Sequence, residues 1–219
     1  MSALAATQPE PIQQSPRPAL TRWDRRLKRM MDVLGAGALL ILSAPLMAAL
    51  ALRIKLHDGG PALFRRRVIG PNGEFDAFKL RTMRVDADEV LRRDEELRRQ
   101  FEINFKLKND PRVTPVGVAF RRNSLDELPQ LWNVLKGEMS LVGPRMITPA
   151  ELKRYGTAGW IFQHMRPGLT GYWQIHGKEE TGYDHRINMD LFYVENWSLL
   201  FDLKILIRTP WRVLRGSGV

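Results

Sequence analysis

Cysteine is absent from all 219 residues, so disulfides and thiolate chemistry are excluded. No Gly-x-x-x-x-Gly-Lys-Ser/Thr segment and no His-Glu-x-x-His segment occurs, which removes two common catalytic designs. Histidine is scarce. His57, His164, His176 and His185 are the four, and their positions show no ligand spacing. His176 lies in a Gly-rich stretch and reads as a solvated polar residue rather than a base. No internal repeat is visible. Acidic charge is in deficit, with 24 Asp and Glu against 34 Lys and Arg and a net charge of +10. That surplus favours anionic partners: phosphate-bearing substrates, acidic lipids or nucleic acid. Apolar content is 44%, enough for a core, and the length suits one catalytic domain plus a membrane segment.

What stands out is an uncharged apolar run from Val33 to Leu52. Its length of about 20 residues suffices for a helix to cross the hydrocarbon core. Arg22, Arg25, Arg26, Lys28 and Arg29 precede it, and Arg53, Lys55, Arg65, Arg66 and Arg67 follow. Orientation is normally set by excess Lys and Arg on one side; here both ends ask to stay in the cytoplasm. Pro45 removes a backbone donor and clashes with the preceding turn. A helix that enters the bilayer, breaks at Pro45 and returns satisfies all three facts. The run starts too deep and is too long for the apolar region of a signal peptide, about 7–15 residues, so it reads as retained.

Residues 1–20, with Pro9, Pro11, Pro16 and Pro18, read as a disordered tail. A basic helix and the re-entrant segment fill 21–56, and a catalytic domain fills 57–219. Ala62–Val68 and Glu74–Leu80 are expected to form a hairpin around Gly70-Pro71-Asn72-Gly73. Asp86–Leu107 is expected to be one charged helix with acid-first i,i+4 pairs. Asn109–Thr114 reads as a loop, 126–136 as a helix, Arg166–Lys178 as irregular and 183–195 as a helix. Thr148-Pro149-Ala150-Glu151 is a capping box with Pro at the first helical position. Asn196–Leu214 alternates large apolar and basic residues. It fits a helix in the membrane interface or one in the core.

The cluster Arg121-Arg122-Asn123-Ser124-Leu125-Asp126-Glu127-Leu128-Pro129-Gln130 puts two carboxylates behind two arginines at a helix mouth. One reading is capping, with Ser124 and Glu127 forming a box or Asp126 as the cap so that Pro129 falls in the first turn. Either way the helix dipole would keep Asp126 ionised and draw phosphate nearby. On composition alone, capping is the commoner use of such residues. The other reading is chemical. An ionised carboxylate beside arginines can bind Mg²⁺ or attack phosphorus, with the cations screening the repulsion between anions.

The chain resembles the bacterial sugar transferases, monotopic phosphoglycosyl transferases acting on polyprenyl phosphate. The resemblance runs from about Lys28 to Val219. It rests on Lys28-Arg29-x-x-Asp32, Pro45, Phe78-Lys79-Leu80-Arg81-Thr82-Met83, and the block from Ser124 to Arg145. Arg166-Pro167-Gly168-Leu169-Thr170-Gly171 and Asp202-Leu203-Lys204-Ile205 extend it. The resemblance implies an α/β, mostly helical fold with a small β-hairpin. It implies a membrane-surface enzyme on the cytoplasmic face of the bacterial inner membrane, both termini cytoplasmic. The implied reaction moves a phosphosugar from a UDP-sugar to undecaprenyl phosphate and releases UMP. It opens the membrane stage of exopolysaccharide or other glycoconjugate synthesis. Asp126 would be the nucleophile, and Glu127 would help place Mg²⁺ or the incoming prenyl phosphate. Arg121, Arg145 and Arg166 would contact phosphate.

Some positions depart from the family pattern. Ala44 separates Ser43 from Pro45, where the family often has Ser-Pro, which weakens any part for Ser43 in the bend. Lys178 stands where the family often has Arg and lacks the planar fork. The longer relatives carry further membrane helices in front, so this chain reads as a minimal version. Lys79 and Arg81 alternate on an expected strand, facing one side as phosphate contacts or as a solvated face. Arg65-Arg66-Arg67 reads as a lipid-headgroup anchor, and Gly168 and Gly171 as places where backbone approaches a ligand. Anionic lipids are expected partners, and a homodimer is compatible with the sequence. The rival from another class is a membrane-tethered binder of nucleic acid or anionic lipid without catalysis. The basic residues are spread along the chain and form no recognised DNA or RNA motif, so nucleic acid is not expected.

Overall fold

The computed structural model describes residues 21–107, 109–177 and 182–215. The tail 1–20 and Lys178 lie outside the described residues. Helix α1 spans Arg22–Asp58. Its start is fixed by a capping box, in which Asp24 N–H donates to Thr21 Oγ1 at 3.1 Å and Thr21 N–H to Asp24 at 2.9 Å. It stops at Gly59, which takes the left-handed conformation at φ 71°. The expected break at Pro45 is not an interruption. The helical assignment continues through it, because a proline removes one backbone donor while the turns on either side keep propagating.

Both ends of α1 are bound to the same domain. Lys28 donates to Asp202 at 2.5 Å and to the Val142 carbonyl at 2.9 Å. Arg29 donates to the carbonyls of Val134 and Leu135, each at 2.6 Å. Asp32 accepts from Ser140 Oγ at 2.9 Å and Leu141 N–H at 2.8 Å. These three residues lie within one turn, on one face. At the other end Ile54 packs with Leu80 and Phe120, and Asp58 pairs with Arg81. Between Gly37 and Arg53 no residue is buried.

Strands β1 (Leu63–Gly70) and β2 (Gly73–Leu80) form the expected antiparallel hairpin, with Gly70 opposite Gly73. Gly73, at φ 100°, makes the step into β2 that a side chain would strain. The buried carboxamide of Asn133 ties β2 down: it accepts from Phe78 N–H at 3.0 Å and donates to the Asp76 carbonyl at 2.8 Å.

The expected single charged helix is two, α2 (Ala87–Arg93) and α3 (Glu95–Asn104). Asp94 divides them because its carboxylate caps α3, accepting from Leu97 N–H at 2.9 Å. Helix α4 (Pro115–Arg122) was not anticipated. Thr114 caps it and Pro115 opens it, the same Thr-Pro signature as Thr148-Pro149. The expected helix 126–136 is a 3₁₀ turn, Leu125–Glu127, followed by α5 (Gln130–Lys136). Pro129 stands at the cap of α5 rather than inside it, where its missing N–H costs little.

Strand β3 (Ser140–Val142) is followed by α6 (Pro149–Tyr155), with its capping box formed, and by α7 (Ile161–His164). The chain then returns as β4 (Gly168–Thr170), parallel to β3. A parallel pair needs such a long crossover. The segment read as irregular thus holds β4 and α8 (Tyr172–His176). Its glycines let backbone meet backbone. A Cβ on Gly168 would lie 2.2 Å from Gly143 N, and one on Gly171 would lie 2.2 Å from Gly143 O. Helices α9 (Tyr183–Glu195) and α10 (Leu199–Leu214) close the fold.

The core gathers Leu131, Val134, Met139, Val142, Ile147, Ile161, Phe162, Tyr193 and Ile205, all essentially without exposure. Each fully buried aliphatic contributes about 1.5–3 kcal/mol. Helix α10 has a buried and an exposed apolar face. Asp202 and Ile205 face the core, while Leu200, Leu203, Ile207, Trp211 and Leu214 are exposed.

Candidate active site

The site assembles where β2, the end of α4 and the 3₁₀ turn meet. Strand pairing fixes β2 and so presents Lys79. Helix α4 ends at Arg122, and Ser124 reverses the chain in the left-handed conformation at φ 53°. That reversal swings Asp126 and Glu127 back toward β2. The capping reading of this cluster fails. Ser124 makes no side-chain cap, and Glu127 N–H reaches the Ser124 main-chain carbonyl at 3.2 Å.

Lys79 Nζ lies 2.6 Å from Glu127 Oε1 and 3.8 Å from Asp126 Oδ2. Arg121 is oriented by donating from Nε to Thr82 Oγ1 at 2.9 Å. Asp126 is 6% exposed, and among the described residues no side chain donates a hydrogen bond to its carboxylate. Burial pushes Asp126 above the ordinary carboxylate range, Lys79 opposes this, the adjacent Glu127 charge adds to it, and Arg121 opposes it too. Glu127 moves the other way. Burial raises it, but Lys79 and Arg145 with Arg66 pull it below its usual value. Asp126 sits in a 3₁₀ turn ahead of α5 rather than at the helix mouth expected for it, and burial is the largest influence on its carboxyl. Two neighbouring carboxylates driven apart in this way are a recurrent mark of reactive centres.

A second layer lies behind the pair. Arg66 Nη2 and Arg186 Nη2 each stand 3.4 Å from Glu151. Glu151 also accepts Thr148 N–H at 2.8 Å. Desolvation raises Glu151, yet Arg66 and its hydrogen bonds with Thr148 leave it below its ordinary value. Asp190 accepts Arg145 N–H at 3.1 Å and Tyr155 O–H at 2.7 Å. Burial raises Asp190 to about 6, partly offset by the Tyr155 hydrogen bond.

Of the residues singled out from sequence, Lys79, Arg121, Asp126, Glu127 and Arg145 come together. Arg81 does not. It lies one residue beyond β2 and turns to Asp58 and the Pro61 carbonyl, so the two alternating cations do not share a task. Arg166 also lies elsewhere, with the charges of Arg29 and Asp32 around it. Arg66 is no simple headgroup anchor, since alternation along β1 turns it toward Glu151 while Arg67 pairs outside with Glu74 and Asp76. Sequence reasoning missed Glu151 and Asp190. The signal for Asp190 was an acid in the apolar stripe Ile187, Asp190, Val194 at helical spacing.

Among the described residues no three His, Asp or Glu side chains gather as a metal cage. The Asp126–Glu127 pair nonetheless fits Mg²⁺, which is usually held by one or two carboxylates with substrate phosphates completing the shell. The carboxylate of Asp126, free of side-chain donors, is the oxygen ligand available for that.

The family model described as bacterial sugar transferase matches residues 23–216. An uncharacterized sugar transferase of Haemophilus influenzae is 47% identical over 199 residues, covering 89% of this chain and 42% of the relative. The undecaprenyl-phosphate galactose phosphotransferase of Salmonella typhimurium is 45% identical over 202 residues, 90% of this chain and 42% of the relative. The exopolysaccharide production protein ExoY of Rhizobium meliloti is 45% identical over 196 residues, 87% of each chain. The chain thus spans less than half of the length of the first two relatives.

Proposed function

Since the chain belongs to the bacterial sugar transferase family, we propose that it moves a sugar phosphate from a UDP-sugar to undecaprenyl phosphate at a bacterial membrane surface. The observation that carries this reading is Asp126: buried, without a side-chain donor, and flanked by Lys79 and Arg121. Relatives named for undecaprenyl-phosphate galactose and glucose transfer support it.

Lys79, Arg121 and Arg145 receive the diphosphate, and their charges lower the cost of bringing it beside two carboxylates. The same charges favour the ionised form of Asp126. Its oxygen attacks the phosphorus that bears the sugar, the bond from that phosphorus to the UMP oxygen breaks, and UMP leaves. An oxygen of undecaprenyl phosphate then attacks the same phosphorus and frees the Asp126 carboxylate. Mg²⁺ held by Asp126 and Glu127 would supply charge neutralisation on the phosphates. Asp126→Asn is expected to lower UMP release by more than about 10³-fold and to abolish capture of labelled phosphosugar on the protein. Full capture with no loss of turnover would refute the nucleophile. Ping-pong kinetics separates this course from direct transfer in one ternary complex with Asp126 only binding the metal.

The two ends of α1 support this venue. Residues 33–52 would occupy a hydrocarbon core about 30 Å thick if the helix spanned it. Yet Lys28 at one end and Asp58 at the other bind the same domain, which cannot lie on both faces of a bilayer. On this reading the unbroken helix enters and leaves by one leaflet, with both of its ends at the cytoplasmic surface. A chain without native cysteine allows a clean check. Single cysteines at Arg25 and Lys55 should both react with an impermeant thiol reagent from the cytoplasmic side only; opposite-side labelling ends this reading.

A further inference from the structure

Helix α10 carries three stripes. At 3.6 residues per turn, Leu200, Leu203, Ile207, Trp211 and Leu214 share one face, and Ile207 and Trp211 are 77% and 65% exposed. Asp202 and Ile205 face the core on the far side. Lys204 and Arg208, one turn apart, lie along the border between the two. Beside that border a cavity of about 410 Å³ opens between α8, α9 and α10. Its apolar wall is Tyr172, Ile175, Phe192 and Phe201, with Tyr172 centred 5.0 Å from Phe192 and 5.5 Å from Phe201. Lys204 and Arg208 form its cationic edge.

Arg208 is not a loose surface charge. Its Nη1 donates to His176 Nε2 at 3.1 Å, while His176 Nδ1 donates to the Tyr172 carbonyl at 3.3 Å. This pair of contacts assigns a neutral imidazole with its proton on Nδ1. The guanidinium is thereby aimed by a ring that packs 4.3 Å from Tyr172. None of the lining residues belongs to the Asp126 cluster.

We propose that this groove binds an anionic bilayer phospholipid, its phosphate bridged by Lys204 and Arg208 and its acyl chain lying over Tyr172, Phe192 and Phe201. The proposal rests on the membrane-surface reading above, in that the exposed α10 stripe faces the bilayer and holds the groove at headgroup depth. Free phosphate would leave the aromatic wall wet. A zwitterionic lipid would set its own cation against two more. An anionic phosphate carrying long chains answers both halves of the groove, and a bilayer phospholipid is the abundant one at a membrane surface.

The full chain is reconstituted in nanodiscs of equal phosphatidylglycerol and phosphatidylcholine, and native mass spectrometry counts the lipids it retains. Phosphatidylglycerol should be retained about thirtyfold over phosphatidylcholine, the effect of two cations at a membrane surface. The double variant Lys204→Gln, Arg208→Gln should fall to near parity. Arg22→Gln, Arg25→Gln, with the same loss of charge elsewhere, should keep the preference. A matching thermal melt shows that the variants are folded. Should loss of Arg208 loosen α8, Lys204→Gln alone is expected to give a partial drop. Equal retention of both lipids, or an unchanged preference in both Lys204 variants, overturns the proposal. So does one-for-one displacement by undecaprenyl phosphate, which would give the groove to the acceptor. Lipid retention is read without turnover, so failure here leaves the transferase reading standing, and failure of Asp126→Asn to act leaves this one standing.

Discussion

At the junction of α1 with the domain, Asp202 accepts from Lys28 at 2.5 Å, Tyr193 at 2.7 Å and Trp197 at 3.3 Å. Beside β2, among the described residues, Asp126 has Lys79 at 3.8 Å as its one side-chain ion pair. Both carboxylates are buried among charges of both signs. The first is saturated with donors, and its geometry is spent on holding two elements together. The second is surrounded by positive charge but left without a side-chain donor, so its oxygens remain free to meet a substrate. Burial of a charge therefore does not by itself mark a site; what sets Asp126 apart is that no side chain among the described residues donates to it.

Crossing the two acids gives the widest separation. Asp126→Asn should remove activity, by more than about 10³-fold, and leave the chain as stable or more so, because a desolvated charge is gone. Asp202→Ala should do the reverse in kind, destabilising by about 3–5 kcal/mol because Lys28 is left buried without its partner. Chemical denaturation in detergent, read beside UMP release, checks both. Equal loss of stability in the two variants would erase the distinction.

Asp190 tests the second layer. Its folded pKa of about 6 exceeds the unfolded value of about 4. The folded chain therefore binds the extra proton, and stability falls as pH rises from about 4 through about 6. The slope is worth about 3 kcal/mol across that window. Asp190→Asn should remove it while keeping an acceptor for Arg145 N–H. Unfolding curves at pH 4.5, 6 and 7.5 would show it, and an unchanged slope would count against a buried Asp190 proton.

The smallest effect expected is that of Lys79→Met. It takes away the partner of Glu127 and the nearest cation to Asp126, and should cost about 10–100-fold in kcat/KM, some 1.4–2.7 kcal/mol. Both carboxylates would then rise, so the acid limb of the pH–rate profile should move to higher pH. A profile that drops uniformly without shifting would mean that Lys79 only packs.

Much of this was legible in the chain. The apolar run with basic flanks, the hairpin around Gly70 and Gly73, the box at Thr148 and Glu151, and the carboxylate pair are local signals. Each depends on residues within a few positions of one another. What escaped needed distance. Asp94 reads as one more acid in a charged helix until its cap on Leu97 splits that helix. Arg81 and Lys79 look like twins on a strand, but the end of α1 claims one and the 3₁₀ turn the other. Arg166 carries a motif's arginine yet stands by α1.

The sequence by itself determined which segments can leave water, where helices and turns begin, and which chemistry is available. Those follow from side-chain hydrophobicity, backbone conformational limits and residue type. Only the tertiary structure decided that Asp126 is left without a side-chain donor among the described residues while Asp202 is saturated, that Arg66 turns to Glu151, and that both ends of α1 meet one domain. Hydrogen-bond saturation and desolvation depend on neighbours contributed by segments tens of residues apart, and packing alone sets which of them arrive.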